Sequence, residues 1–298
     1  MTVITALLRS AHLAFACFAA AAPLVAAWLH RRAARGDAPS RRAGLRLAGW
    51  SLVSLALALV TGLLLGLLNY RGEENYSELL MALRRKLEWG MAELAFSAVL
   101  VYLFWKWWKR TPDLPRGKSI FRCSLAVLAG TNLLYHFPLL FAILDQLRSD
   151  PELVENAITS SEFRQWIIVP VVYTKALHVV LAGVALCFLA LICDGKDDQG
   201  DSSRLTTVAA RGMLATLVLQ LLVGIWMLVV MPPEQRDPLI GMGGVAPWLL
   251  ALAVILFVAM NQALLPVAGG EKVGNRPRWL LGMTLLLFLV MSAIAGLS

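Results

Sequence analysis

The side chains in this sequence best suited to bind a metal are its four histidines, His12, His30, His136 and His178. Neutral imidazole is a common metal ligand and a frequent axial ligand of haem iron. His30 stands beside Arg31 and Arg32 and reads as an interfacial residue, whereas His12, His136 and His178 each lie inside a long apolar run. A single histidine in such a run is more often a hydrogen bond between helices than a ligand. Three at one depth favour a metal cofactor. Met227, Met231 and Met242 are candidate second ligands, because histidine and methionine together are a known haem arrangement, while thioethers also serve as ordinary core filling. Glu88 can act as a ligand, as a proton relay or as a residue of the headgroup layer. Glu93, five positions on, lies about 140 degrees round a helix from it, so the two form no carboxylate pair.

These residues must be positioned by helices in lipid. Of the 298 residues 59% are hydrophobic and 15% charged, with mean hydropathy +0.69, whereas soluble chains carry about 25% charged residues. Eight apolar runs reach the roughly 20 residues that cross a bilayer, at about 4–29, 44–69, 88–108, 119–146, 166–193, 205–231, 245–266 and 279–298. The first lacks a basic leader and is read as a retained helix. The fold class is therefore all-α, a polytopic helical bundle, since a β-barrel would show short alternating segments. Arg31, Arg32, Arg35, Arg41 and Arg42 follow the first run, Lys106, Lys109, Arg110, Arg116 and Lys118 follow the third, and Lys272, Arg276 and Arg278 precede the eighth. The positive-inside rule makes these loops cytoplasmic and places both termini outside, with Arg84, Arg85 and Lys86 in an external loop as the opposing signal.

A formal net charge of +8 would suggest nucleic acid in a soluble protein, but here the excess sits in loops beside anionic lipid, so lipid and not nucleic acid is the expected partner. Cys17, Cys123, Cys187 and Cys193 have no paired spacing and indicate neither a disulfide framework nor a zinc site. No phosphate loop, dinucleotide fingerprint or serine elbow is present, and no internal repeat is visible. With this topology His12, His136 and His178 share the outer half of the bilayer, so redox chemistry is expected there and not below the midplane.

Read in order, five fragments resemble the first six helices of cytochrome bd quinol oxidase subunit I. AHLAFACFAAAAPLVAAWL is similar to the family's opening helix, whose haem-ligating histidine falls on His12. LVTGLLLGLLNYRG resembles the family's threonine-glycine pair and helix exit, and EWGMAELAFSAVLVYLFWKW matches its third helix at Glu88 and Met91-Ala92. AGTNLLYHF is like the glycine-serine-asparagine helix, and VPVVYTKALHVVLAG places the family's lysine and low-spin haem histidine on Lys175 and His178. The resemblance covers roughly residues 5–230. Phe96 stands where a second glutamate is expected, the long quinol-binding loop after the sixth helix is missing, and the C-terminal haem ligands have no counterpart. His136 matches no family ligand.

The resemblance implies a single membrane domain, with a bd-like six-helix part over 1–231 and two further helices over 232–298. It implies one or two haem b groups, with His178, His12, Glu88 and Lys175 as candidate binding residues; His136 and Met227 are candidates from their residue type and depth alone. Lys175 would answer a haem propionate or snorkel to the headgroups. The function implied is electron transfer within a cytochrome bd-like respiratory complex of a bacterial inner membrane, beside a second membrane subunit or cytochrome partner, with quinol a candidate donor. Alternatives are a quinol-oxidising oxygen reductase, a cofactor-free scaffold, and a transporter whose helices break at Pro138 and Pro170.

Overall fold

A computed structural model of the chain describes residues 3–72, 76–111, 115–149, 158–195, 202–241 and 243–296. Eight long helices are apolar enough to cross a membrane: α1 (Val3–Ala33), α2 (Ala38–Gly72), α4 (Arg84–Arg110), α5 (Arg116–Ser149), α7 (Pro170–Asp194), α8 (Ser202–Val230), α10 (Ala246–Ala268) and α11 (Arg276–Ile294). They coincide with the eight runs expected from the sequence, each longer or shifted by a few residues. Three short helices join them, α3 (Tyr76–Ala82), α6 (Ser160–Ile167) and α9 (Pro233–Ile240). No strand occurs among the described residues.

The helix boundaries follow local chemistry. Asp37 precedes α2, and its Oδ1 accepts the Ser40 backbone N–H at 3.1 Å, which satisfies one of the donors left open at a helix start. Thr159 and Glu162 form a reciprocal capping box at the start of α6. Prolines occupy the first turns of α7, α9, α10 and α11, where a missing N–H costs nothing. Pro138 lies within α5, which continues through it, and Pro170 begins α7. Neither breaks a span, so the feature that motivated a transporter reading is not present.

Helix packing groups the spans four and four. In the first set α1 packs on α2 and α5, α2 on α4, and α4 on α5; in the second α7 packs on α8 and α11, α8 on α10, and α10 on α11. Between the sets α1 meets α7, while α5 meets α7 just as α11 meets α1. Exchanging the two sets maps these contacts onto one another, a pseudo-two-fold repetition of the spans to which a minor α2–α7 contact is the exception; of the short helices, α3 meets α2, α4 and α5, and α9 meets α10. Sequence inspection missed it because the repeated feature is packing and not residue identity.

The centre of the molecule is α1, of whose most apolar stretch 56% is buried, against 22% for α2, α8 and α10. Its run Ala19–Ala22 lets neighbouring backbones approach. One close approach is at Gly183 of α7: a Cβ there would lie 2.4 Å from the Cys17 carbonyl oxygen and 3.0 Å from Ala21 Cβ. Glycine is required at this crossing. The main core continues inward through Leu29, Leu47, Phe104, Trp108, Ile192 and Met213.

Candidate functional site

His12 lies on α1 nine residues from Val3, about 14 Å along the axis, and His178 lies on α7 eight residues from Pro170, about 12 Å. Each is five residues before the Cys17–Gly183 crossing, so the two occupy matching turns of the two sets. Each also faces a glycine on the second helix of its own set.

The His12 ring rests on α2 at the Thr61–Gly62 pair. Its Nδ1 donates to the Ala58 carbonyl at 2.9 Å and lies 3.4 Å from Thr61 Oγ1. Because a carbonyl can only accept, this bond fixes the proton on Nδ1 and leaves the lone pair on Nε2. A backbone acceptor behind the ring is also the usual support of a metal-ligating imidazole. A Cβ on Gly62 would stand 2.8 Å from His12 Cε1, so the ring needs that glycine. Phe141 of α5 meets the ring edge-on at 6.1 Å.

His178 has poorer company. Its Nε2 is 3.4 Å from the amide nitrogen of Gln220 on α8, and its Nδ1 is buried without a hydrogen bond. Gly224, one turn from Gln220, leaves ordinary contact distance beside the ring, with Cβ 3.6 Å from Cε1. A buried imidazole with an unmet nitrogen is costly in an apolar helix bundle.

The third histidine is placed elsewhere. His136 on α5 puts Nδ1 2.9 Å from Glu93 Oε2 on α4. One turn away Asn132 donates to Ser97 Oγ at 2.9 Å and to the Glu93 carbonyl at 3.3 Å. The three histidines thus engage three different helix pairs, and no cluster of three metal-ligating side chains occurs among the described residues. Helical spacing keeps Glu88 and Glu93 apart, and the partner of Glu93 lies on another helix, where spacing along α4 gives no sign of it.

Glu88 is exposed and paired with Arg84 at 2.8 Å. Both border a groove of about 500 Å³ between α2, α3 and α4, with Tyr70, Ser77, Met81 and Met91. Lys175 Nζ contacts Asp145 Oδ2 of α5 at 2.7 Å, a partner that the sequence reading did not name. Met227 and Met231 pack with Leu239, Ala253, Leu256 and Val290 in an apolar cluster of α8 to α11. Met242 lies outside the described residues. The expectation that His30 is interfacial is corrected: it is 2% exposed, and its Nε2 accepts from Arg122 Nε at 2.9 Å beside Trp108 and Phe104. Arg122 also donates to the Thr111 carbonyl, so the inner end of the bundle holds a buried cation that composition alone did not reveal.

Fold and site together define a class: an eight-span helical membrane protein, with polar side chains held singly and in pairs at hydrophobic depth. No family model matches the chain, and no curated protein matches it. Among solved structures it is similar to a chain of the bd oxidase from Geobacillus thermodenitrificans, with TM-score 0.71 and 12% sequence identity over 99% of this chain and 84% of that one. The protein has a bd oxidase-like helical fold.

Proposed function

We propose that this chain is a haem b-binding electron-transfer subunit of a cytochrome bd-like respiratory complex in a bacterial inner membrane, a shortened relative of subunit I. The observation that carries the reading is His178, whose buried Nδ1 lacks any hydrogen bond on a helix that also has the closest family-like sequence. An axial bond to iron would satisfy that imidazole. His12 is the second proposed ligand, with Nε2 presented by the bond from Nδ1 to Ala58. A haem bound there supplies a one-electron carrier. The protein's own part is to hold each ring against its glycine, to keep water out by the apolar walls of α1, α2, α7 and α8, and to place both imidazoles in the outer half of the bundle. Lys175 and Asp145 close the outer end near His178 with a paired charge.

The engagement of His12 and His136 by partners within the protein favours one second reading, a scaffold without cofactor. A reduced-minus-oxidised spectrum of the purified protein separates the two. The haem reading expects a b-type signal whose low-spin component disappears in His178→Ala; unchanged haem content and spectrum in that variant would sink the assignment. No signal in the unmodified protein purified with its partners selects the scaffold.

A further inference from the structure

The Glu93–His136 pair faces the wrong way for a lone bundle. Intramembrane ionisable residues almost always point into the protein or into a water-filled cavity. Here the Glu93 side chain is 24% exposed and that of His136 35%, on the seam where α4 and α5 meet the bilayer. Glu93 is five residues beyond Glu88, where the apolar run of α4 opens, and so about 7.5 Å further into the span. Phe96 and Tyr135 flank the pair and are 49% and 56% exposed. Hydrocarbon offers no donor to a carboxylate.

The pseudo-symmetry supplies an internal control. The counterpart of α4 is α10, which presents Leu252, Ile255 and Val258 outward. Mean hydropathy of the most apolar stretch is 1.4 in α4, the lowest of the eight spans, and 2.2 in α10. One flank of the molecule is an ordinary lipid face and the equivalent flank is not.

We infer that the α4–α5 flank is the docking surface for a transmembrane helix of a different subunit, one that brings a hydrogen-bond donor, from Ser, Thr, Asn, Gln, Lys or Arg, to the level of Glu93. The chemistry selects this occupant. A carboxylate has about four acceptor sites; Glu93 Oε2 is buried against His136 at 2.9 Å, so it is the exposed remainder of the side chain, with Oε1, that a docking helix would meet. A second copy on a two-fold axis would set like side chains against each other, Glu93 against Glu93, and would not supply a complementary donor. A helix with a donor satisfies the carboxylate and covers Phe96 and Tyr135. This inference is independent of haem binding and rests only on the membrane placement.

The test is site-specific photo-crosslinking in the native membrane, with benzoylphenylalanine introduced at Phe96, at Tyr135 and, as control, at Ile255. Illumination at Phe96 and Tyr135 should give one discrete adduct. Its crosslinked peptide should map to an apolar span of another protein with a polar donor within one turn of the linkage. Glu93→Leu should weaken that adduct roughly threefold to tenfold while adducts at Ile255 stay unchanged. Removing the partner's donor as well should add nothing further. An adduct of twice this chain's mass, adducts to lipid alone, a mapped span without a donor at that level, or equal yields at Phe96 and Ile255 would each overturn the inference. The Phe96 crosslink in the otherwise unaltered chain decides the case even where Glu93→Leu fails to fold.

Discussion

At the scale of single residues, two glycines beside two histidines make opposite predictions. A Cβ at position 62 would lie 2.8 Å from His12 Cε1, whereas at 224 it would lie 3.6 Å from His178 Cε1. Gly62→Ala should therefore push the His12 ring off the Ala58 carbonyl and cost about 1–3 kcal/mol, while Gly224→Ala should be nearly neutral. Thermal unfolding of the purified protein in detergent measures both. His12→Ala combined with Gly62→Ala should be less destabilised than the sum of the single variants, because the clash is then gone. A simple sum would show that Gly62 acts on something else. At this scale the sequence yielded which residue types matter and not whom they meet. His12, His136 and His178 were legible because a polar group in an apolar run stands out. Glu93, Ala58 and Gln220 were not, because a partner on another helix carries no signal of spacing along its own chain.

At the scale of elements, the start of α2 joins capping to charge. Asp37 Oδ1 accepts from the Ser40 N–H, and Oδ2 accepts from Arg32 Nη2 at 2.7 Å and from Ser40 Oγ at 2.9 Å. Partial burial raises the Asp37 carboxyl, but these bonds together with the Arg32 charge outweigh it and hold the group below the usual carboxylate range. A depressed folded-state value means that the contribution is fully present above the unfolded carboxylate range, near pH 4, and is lost as pH falls through the lower folded value. Asp37→Ala should cost about 1 kcal/mol at neutral pH, and the gap between variant and parent should close in acid. Denaturation midpoints measured from neutral to acidic pH check this, and a gap that persists at the acid end would refute the role. All eight spans were readable because roughly 20 apolar residues leave one solution in lipid. The three short helices were not, since seven or eight residues make no apolar run of spanning length, yet the Thr159–Glu162 box and Pro233 were available as start signals.

At the scale of the whole molecule, an even number of spans puts both ends of the chain on one side, and the arginines around Gly36 then set which side. A reporter inserted at Gly36, an exposed residue of positive φ in the turn between α1 and α2, should be active in the cytoplasm. One fused after Ser298 should be active outside, and activity of the Ser298 fusion in the cytoplasm would require an odd number of spans. The packing of the spans into two equivalent sets could not be read from sequence, because exchange of the sets conserves contacts between helices and not side chains. One contact between those sets has a mechanical meaning. Where Gly183 meets the Cys17 carbonyl the two backbones touch with no side chain between them, so α1 and α7 share a pivot. A tilt of either helix about that point, such as a change in bilayer thickness would impose, moves the far ends most. The turns of His12 and His178 sit on short lever arms, five residues or about 7.5 Å from the pivot. The two histidine-bearing turns are thereby displaced less than the helix ends by strain applied at either membrane surface.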